Sequence, residues 1–182
     1  MIKKISVIGI MFLLMISIAS ASVLDYYGKI EGTANVQPPV FYASPNSIGG
    51  VYYQLLINTI PPTGELTLTD GNVIIFASDS LNVDSWYPAY WTTSINVGTN
   101  AINNTLTIQL WILDQNYGWK GELCSNVITL DSTDYKTYSV TCHLDSLSLD
   151  PTDRLGLRIG GGGVYSSYTI KVDGTTRVEV SV

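Results

Sequence analysis

Residues 124–142 read "CSNVITLDSTDYKTYSVTC", and the two cysteines that bracket the stretch are the only ones in the chain. On either side of the polar "DSTDY", apolar residues alternate with polar ones. Cys124 is in phase with Ile128 and Leu130, and Cys142 with Tyr138, Val140 and Leu144. A period of two is the mark of a half-buried strand. Folding the stretch as a hairpin about residue 133 sets Cys124 opposite Cys142, with both sulfurs on the same buried face. The pair is therefore expected to form a disulfide, which stabilises a loop of this size by about 3 kcal/mol. Two free buried thiols are the alternative. A bridge implies an oxidising compartment. Two thiols and one distant imidazole do not have zinc spacing.

The same periodicity continues in both directions. Trp91, Thr93, Ile95 and Val97 share a phase, as do Leu106, Ile108, Leu110 and Ile112. Leu155, Leu157 and Ile159 follow, then Tyr168, Ile170 and Val172, then Val178, Val180 and Val182. "ELTLT" and "NVIIFAS" flank Asp70-Gly71, a tight-hairpin signal. Almost nothing reads as helix. About ten short strands punctuated by Gly, Pro, Asn and Asp predict an all-β fold, a jelly-roll-like antiparallel β-sandwich of two sheets. "GGGG" at 160–163 lies between two strands and is expected to be a flexible turn or bulge rather than a phosphate cradle.

The first residues belong to no domain. Lys3 and Lys4 precede the apolar "ISVIGIMFLLMISIASA", which ends in Ala19-Ser20-Ala21. This is the layout of a secretory signal peptide, residues 1–21; an uncleaved anchor is the alternative. An N-terminal arm is assigned to 22–40 and one sandwich domain to 41–182, after a cleaved signal peptide. Losing Lys3 and Lys4 moves the formal charge from −6 to −8. Nucleic acid and anionic membranes are poor partners for scattered bases on an acidic chain. The protein is expected to be secreted, extracellular or at the cell surface, with no membrane association after signal cleavage.

An enzyme is not expected. His143 is the only histidine, out of phase with its strand's core residues, so serine and cysteine triads lack their usual base. No cofactor is required by any motif. The acid-rich "DGN" at 70–72, "DSLNVD" at 79–84 and "DPTD" at 150–153 leave a structural calcium open, although turn chemistry accounts for them equally well. Asn103-Asn104-Thr105 is a glycosylation sequon in a polar loop. In "WYPAYW", 86–91, Trp91 falls in phase with the core while Tyr90 points the other way, beside Thr92 and Ser94. Trp86, Tyr87, Tyr90, Trp111, Tyr117 and Trp119 are the candidate rings for a ligand or a neighbouring subunit, because flat rings with a polar edge stack on pyranoses. Covering a sheet edge is the alternative for each.

The stretch "SVLDYYGKIEGTANV" places Ile30, Ala34 and Val36 on one face ahead of Pro38 and Pro39. It can pair within its own sandwich or add to a neighbour's sheet. Together with "LDPTDRLGLRI" it resembles small secreted archaeal surface proteins, and it is similar to the start of TasA- and camelysin-type subunits. That resemblance implies a jelly roll exchanging a strand through residues 23–37 and assembling with copies of itself into fibres. The segment "NVITLDSTDYKTYSV" with "DPTDRLGLRI" also resembles carbohydrate-binding jelly rolls, which implies a glycan partner on a concave face or loop end. Two functions are thus expected: first a self-assembling structural protein of the cell surface, and second an extracellular carbohydrate-binding module.

Overall fold

The computed structural model describes residues 39–83, 85–86, 89–163 and 165–181, with the side chains of 85–86 excepted. The signal peptide, the arm up to residue 38, and with it the strand face of Ile30, Ala34 and Val36, lie outside these residues. So do Tyr87 and the Trp86 side chain. The described residues contain no helix. Thirteen strands follow one another: β1 (Val40–Gly49), β2 (Tyr52–Ile57), β3 (Glu65–Thr69), β4 (Val73–Ser78), β5 (Ser85–Trp86), β6 (Ala89–Thr99) and β7 (Thr105–Leu113). Then come β8 (Trp119–Thr129), β9 (Lys136–Leu144), β10 (Leu147–Ser148), β11 (Arg154–Gly162), β12 (Ser167–Lys171) and β13 (Arg177–Ser181).

Hydrogen bonding runs without a break through β3-β12-β6-β13-β1-β2-β4-β11-β7-β8, with β9 also on β6. The pairs are antiparallel except β2 with β4. The expected sandwich is present, but its two layers are halves of one rolled sheet. The β6 half comprises β3, β12, β9, β6, β13 and β1; the β7 half comprises β2, β4, β11, β7 and β8. Inward residues of both halves meet in one core that includes Phe41, Phe76, Trp91, Ile95, Leu110, Leu157 and Val178. The phased sets of β6, β7, β11, β12 and β13 are buried among the described residues, whereas those of β8 and β9 around the cysteines are half-buried against the core, Leu130 excepted. Beside the roll, β5 and β10 form a short ribbon that continues the β6–β9 pair past residues 87–88.

Two hairpins expected from the sequence are not formed. β3 pairs with β12, and β4 with β11, so Asp70-Gly71 is a corner between layers. Gly71 there has φ +71°, a backbone state that glycine reaches without steric penalty. Likewise β8 pairs with β7 and β9 with β6. The Cys124–Cys142 bridge nevertheless forms, with Cα atoms 6.3 Å apart. It ties the edge strand of one half to the edge strand of the other, rather than two partners within a hairpin. Burial of both inner faces drives consecutive strands into opposite layers, and side-chain phase alone cannot distinguish that from local pairing.

The glycine run also differs from expectation. Gly160, Gly161 and Gly162 are regular members of β11, paired with Thr107, Leu106 and Thr105. The missing side chain of Gly161 makes room for Tyr168 on the facing layer. A Cβ on Gly161 would lie 2.7 Å from Tyr168 Cε2. The fully buried Tyr168 donates its hydroxyl to the Thr105 carbonyl at 2.8 Å and also meets the Gly162 carbonyl, pinning the two layers together.

Candidate functional site

The outward residues of the β6 half form a broad polar surface. Directly opposed residues share a face, so register lays out its rows. One row runs His143, Tyr90, Ser181, and the next Thr141, Thr92, Glu179, Val40. A groove of about 720 Å³ crosses this surface, lined by Val40, Tyr42, Asn58, Thr92, Glu179, Val180 and Ser181.

Asn58, Glu179 and Thr92 are each partly engaged and partly open. Asn58 follows β2 at φ 52°, a left-handed state that Asn tolerates. Its backbone N–H donates to the Val40 carbonyl at 2.7 Å, and its side-chain Oδ1 accepts the Val40 N–H at 2.9 Å. The side-chain oxygen thus extends the strand ladder by one bond, and the NH₂ group is left to donate. Glu179 Oε1 accepts from Arg177 Nε at 2.9 Å; the two side chains lie on one face because they are two residues apart on a strand. Oε2 is left to accept. Thr92 and Thr141 share one hydroxyl–hydroxyl bond at 2.9 Å, which leaves one proton to donate outward. Tyr42 and Ser181 bring further hydroxyls. The Arg177–Glu179 pair cancels its own charge, and being partly exposed it adds little stability.

The outward surface of the β7 half is built differently. Ile75, Ala77 and Leu113 form a second, external apolar cluster packed by Tyr52, Trp111 and Tyr117. Two guanidiniums cover the rings: Arg154 lies 4.8 Å from the Tyr117 centroid and Arg158 5.4 Å from that of Trp111. The Tyr52 hydroxyl donates to the Tyr117 carbonyl at 3.1 Å. Arg158 donates to Gln109 at 2.5 Å, and Gln109 in turn to Glu122. Trp119, opposite Leu113 at the start of β8, is 62% exposed.

The candidate rings are therefore divided between the faces. Trp111 and Tyr117 come together on the β7 half under guanidiniums, and Trp119 lies on the same half opposite Leu113. Among the described side chains, Tyr90 is the one candidate ring on the β6 half, 53% exposed. Trp91 is core, stacked on Phe41 at 6.3 Å. Asn103 is exposed in the β6–β7 turn at φ 65°. In "DPTD" the acids receive Lys120: its ammonium lies 2.6 Å from Asp150 and 2.8 Å from both oxygens of the buried Asp153. The Asp150 hydrogen bond, then that of Asp153, raises the Lys120 pKa. Among the described residues no group of three or more His, Cys, Asp or Glu side chains is placed to hold a metal ion. Nor, among them, is any helix long and apolar enough to cross a membrane.

Reading the sequence missed Tyr42, Asn58, Glu179 and Ser181. The available signal was the polar phase of "RVEVSV": Arg177, Glu179 and Ser181 alternate with buried valines. What that phase faces depends on pairing with β1 and β6, more than 80 residues away along the chain.

No family model and no curated protein matches the chain. Solved structures share its fold. A CocE/NonD family hydrolase from Staphylococcus aureus superposes with TM-score 0.59 and 8% identity, over 80% of this chain and 36% of that one. An aminopeptidase from the marine sediment archaeon Thaumarchaeota archaeon gives TM-score 0.55 and 8% identity, over 78% and 36%. The chain thus spans about a third of the length of these proteins, and at such identity the likeness is one of fold. A structure described as "CBM4 structure and function" has TM-score 0.41 and 15% identity, over 65% and 71%, too loose to bear on the ligand.

Proposed function

We propose that this protein is an extracellular, non-catalytic carbohydrate-binding module whose site is the groove across β1, β13 and β6. The observation that carries this reading is the groove's set of uncommitted groups: the Asn58 NH₂, the second Glu179 oxygen, and the Thr92, Tyr42 and Ser181 hydroxyls. A sugar presents vicinal hydroxyls that both donate and accept. A carboxylate oxygen accepts from them, an amide donates to them, and a tyrosine ring covers the apolar C–H face. The groove is open rather than enclosed, which suits a chain-like ligand. Among the described residues one carboxylate lines it, whereas glycoside hydrolysis uses a pair, and His143 is not among those lining residues. The disulfide supports an extracytoplasmic setting. Strand addition through Ile30, Ala34 and Val36 rests on residues outside those described, so the groove carries the proposal.

The test is titration of the mature protein against neutral gluco-, manno- and galacto-oligosaccharides of one to six units. Binding to one series is expected. Glu179→Ala and Asn58→Ala each weaken it tenfold or more without changing thermal stability by more than a few degrees. Binding that survives both substitutions would place the site elsewhere and overturn the proposal.

A further inference from the structure

Tyr90 stands beside the groove without lining it. It pairs across β6–β13 with Ser181, a lining residue, and lies two positions before Thr92 on the same face of β6. At a strand's rise that is about 7 Å along the surface, on the order of one sugar ring. More than half of the residue is open to solvent. Its ring is nevertheless not loose: His143, its partner on β9, meets it at 65° with centroids 4.9 Å apart. An exposed aromatic ring braced from one side is a stacking platform. The remaining groups of its row, Ser181 and His143, offer no apolar burial that would account for its exposure.

We infer, on the reading that the groove binds glycans, that Tyr90 forms a second subsite. The groove then takes a neutral oligosaccharide of at least two units running along β6. One unit is hydrogen-bonded by Glu179, Asn58 and Thr92; the next stacks on Tyr90. His143 is a positioning residue that holds the ring, not a ligand-binding group. Neutrality follows from Arg177 and Glu179, whose charges compensate within the site.

The experiment compares mono-, di- and trisaccharides of whichever neutral series the mature protein binds, by calorimetric titration. For the unmodified protein, affinity rises tenfold or more from the mono- to the disaccharide. Tyr90→Ala abolishes that rise and leaves monosaccharide affinity within twofold; Tyr90→Phe keeps the rise. His143→Ala reduces it by about threefold, and His143→Phe, which restores a ring in edge contact, recovers it. If Tyr90→Ala binds the disaccharide as tightly as the unmodified protein while Glu179→Ala does not, the second subsite is wrong and the groove reading stands. If Glu179→Ala and Asn58→Ala bind normally, or no oligosaccharide binds the unmodified protein, both fall together.

Discussion

On the β7 half, the outward side chains Tyr52, Trp111, Tyr117, Gln109 and Arg158 are engaged with one another, by ring packing, guanidinium stacking and a chain of hydrogen bonds ending on Glu122. Along the groove of the β6 half, Tyr42, Thr92, Glu179 and Ser181, with Asn58 just past the end of β2, are each left with a donor or acceptor facing solvent. Both faces are amphipathic, and composition alone would favour the one with more rings. The difference lies in packing. A cluster whose rings and guanidiniums pack on one another stabilises the fold, even with Trp111 Nε1 and Arg154 Nε buried without a partner, whereas an open row with spare valence is available to something else. The two faces should accordingly separate under mutation, one through stability and the other through binding.

The largest effect should come from the seam that joins them. Replacing Cys124 and Cys142 by Ala removes a covalent tie between the edges of the two halves and should lower unfolding free energy by about 2–4 kcal/mol, read by denaturant titration. Trp111→Ala should follow, at about 2–3 kcal/mol, below the 3–5 of a fully buried tryptophan, with oligosaccharide affinity unchanged. A loss of binding in Trp111→Ala that exceeds its loss of stability would reverse the assignment of the faces. Arg158→Met removes a cation–π contact and should cost about 0.5–1 kcal/mol, again without altering binding. Thr92→Val breaks one exposed hydroxyl pair, with a stability change within about 0.5 kcal/mol, yet it should weaken binding several-fold. The smallest effect is at low pH. The Lys136 hydrogen bond to Asp131, and next that of Tyr138, lower the Asp131 pKa below 3.8. Its contribution is thus complete above pH ~3.8 and is lost as pH falls through the depressed value. Asp131→Asn should flatten the acid limb of the thermal melting curve slightly, and only there.

Much of the fold was legible in the sequence, because burial follows side-chain phase and phase is local. Trp91, Thr93, Ile95 and Val97 lie inward as their alternation requires. The disulfide was legible from the same phase, although the hairpin offered as its cause does not exist. Strand pairing was not legible. Asp70-Gly71 is a genuine turn and "DSTDY" a bend, but such polar connections say only that the chain changes direction, not whether it returns beside itself or crosses to the facing layer. The candidate site suffered from the same gap. Tyr90 was read correctly as outward, whereas Glu179 is meaningful only once β13 is seen between β6 and β1. Trp111 and Tyr117 drew attention as rings, and nothing local reveals that Arg158 and Arg154 lie over them.

The pairing of β1 with β13 has a mechanical consequence. Val40, at the start of β1, stands opposite Glu179, near the end of β13, so the first and last described strands bring their outer ends to the same rim. Tension applied between those two strand ends would open the β1–β13 pair as a zipper, one hydrogen bond at a time, rather than shearing all of them together. The first contact to part would be the Val180 N–H on the Pro39 carbonyl, and next Val40 and Glu179, both in the groove wall. A molecule seated across that seam would resist the opening, and a stretched chain would release it.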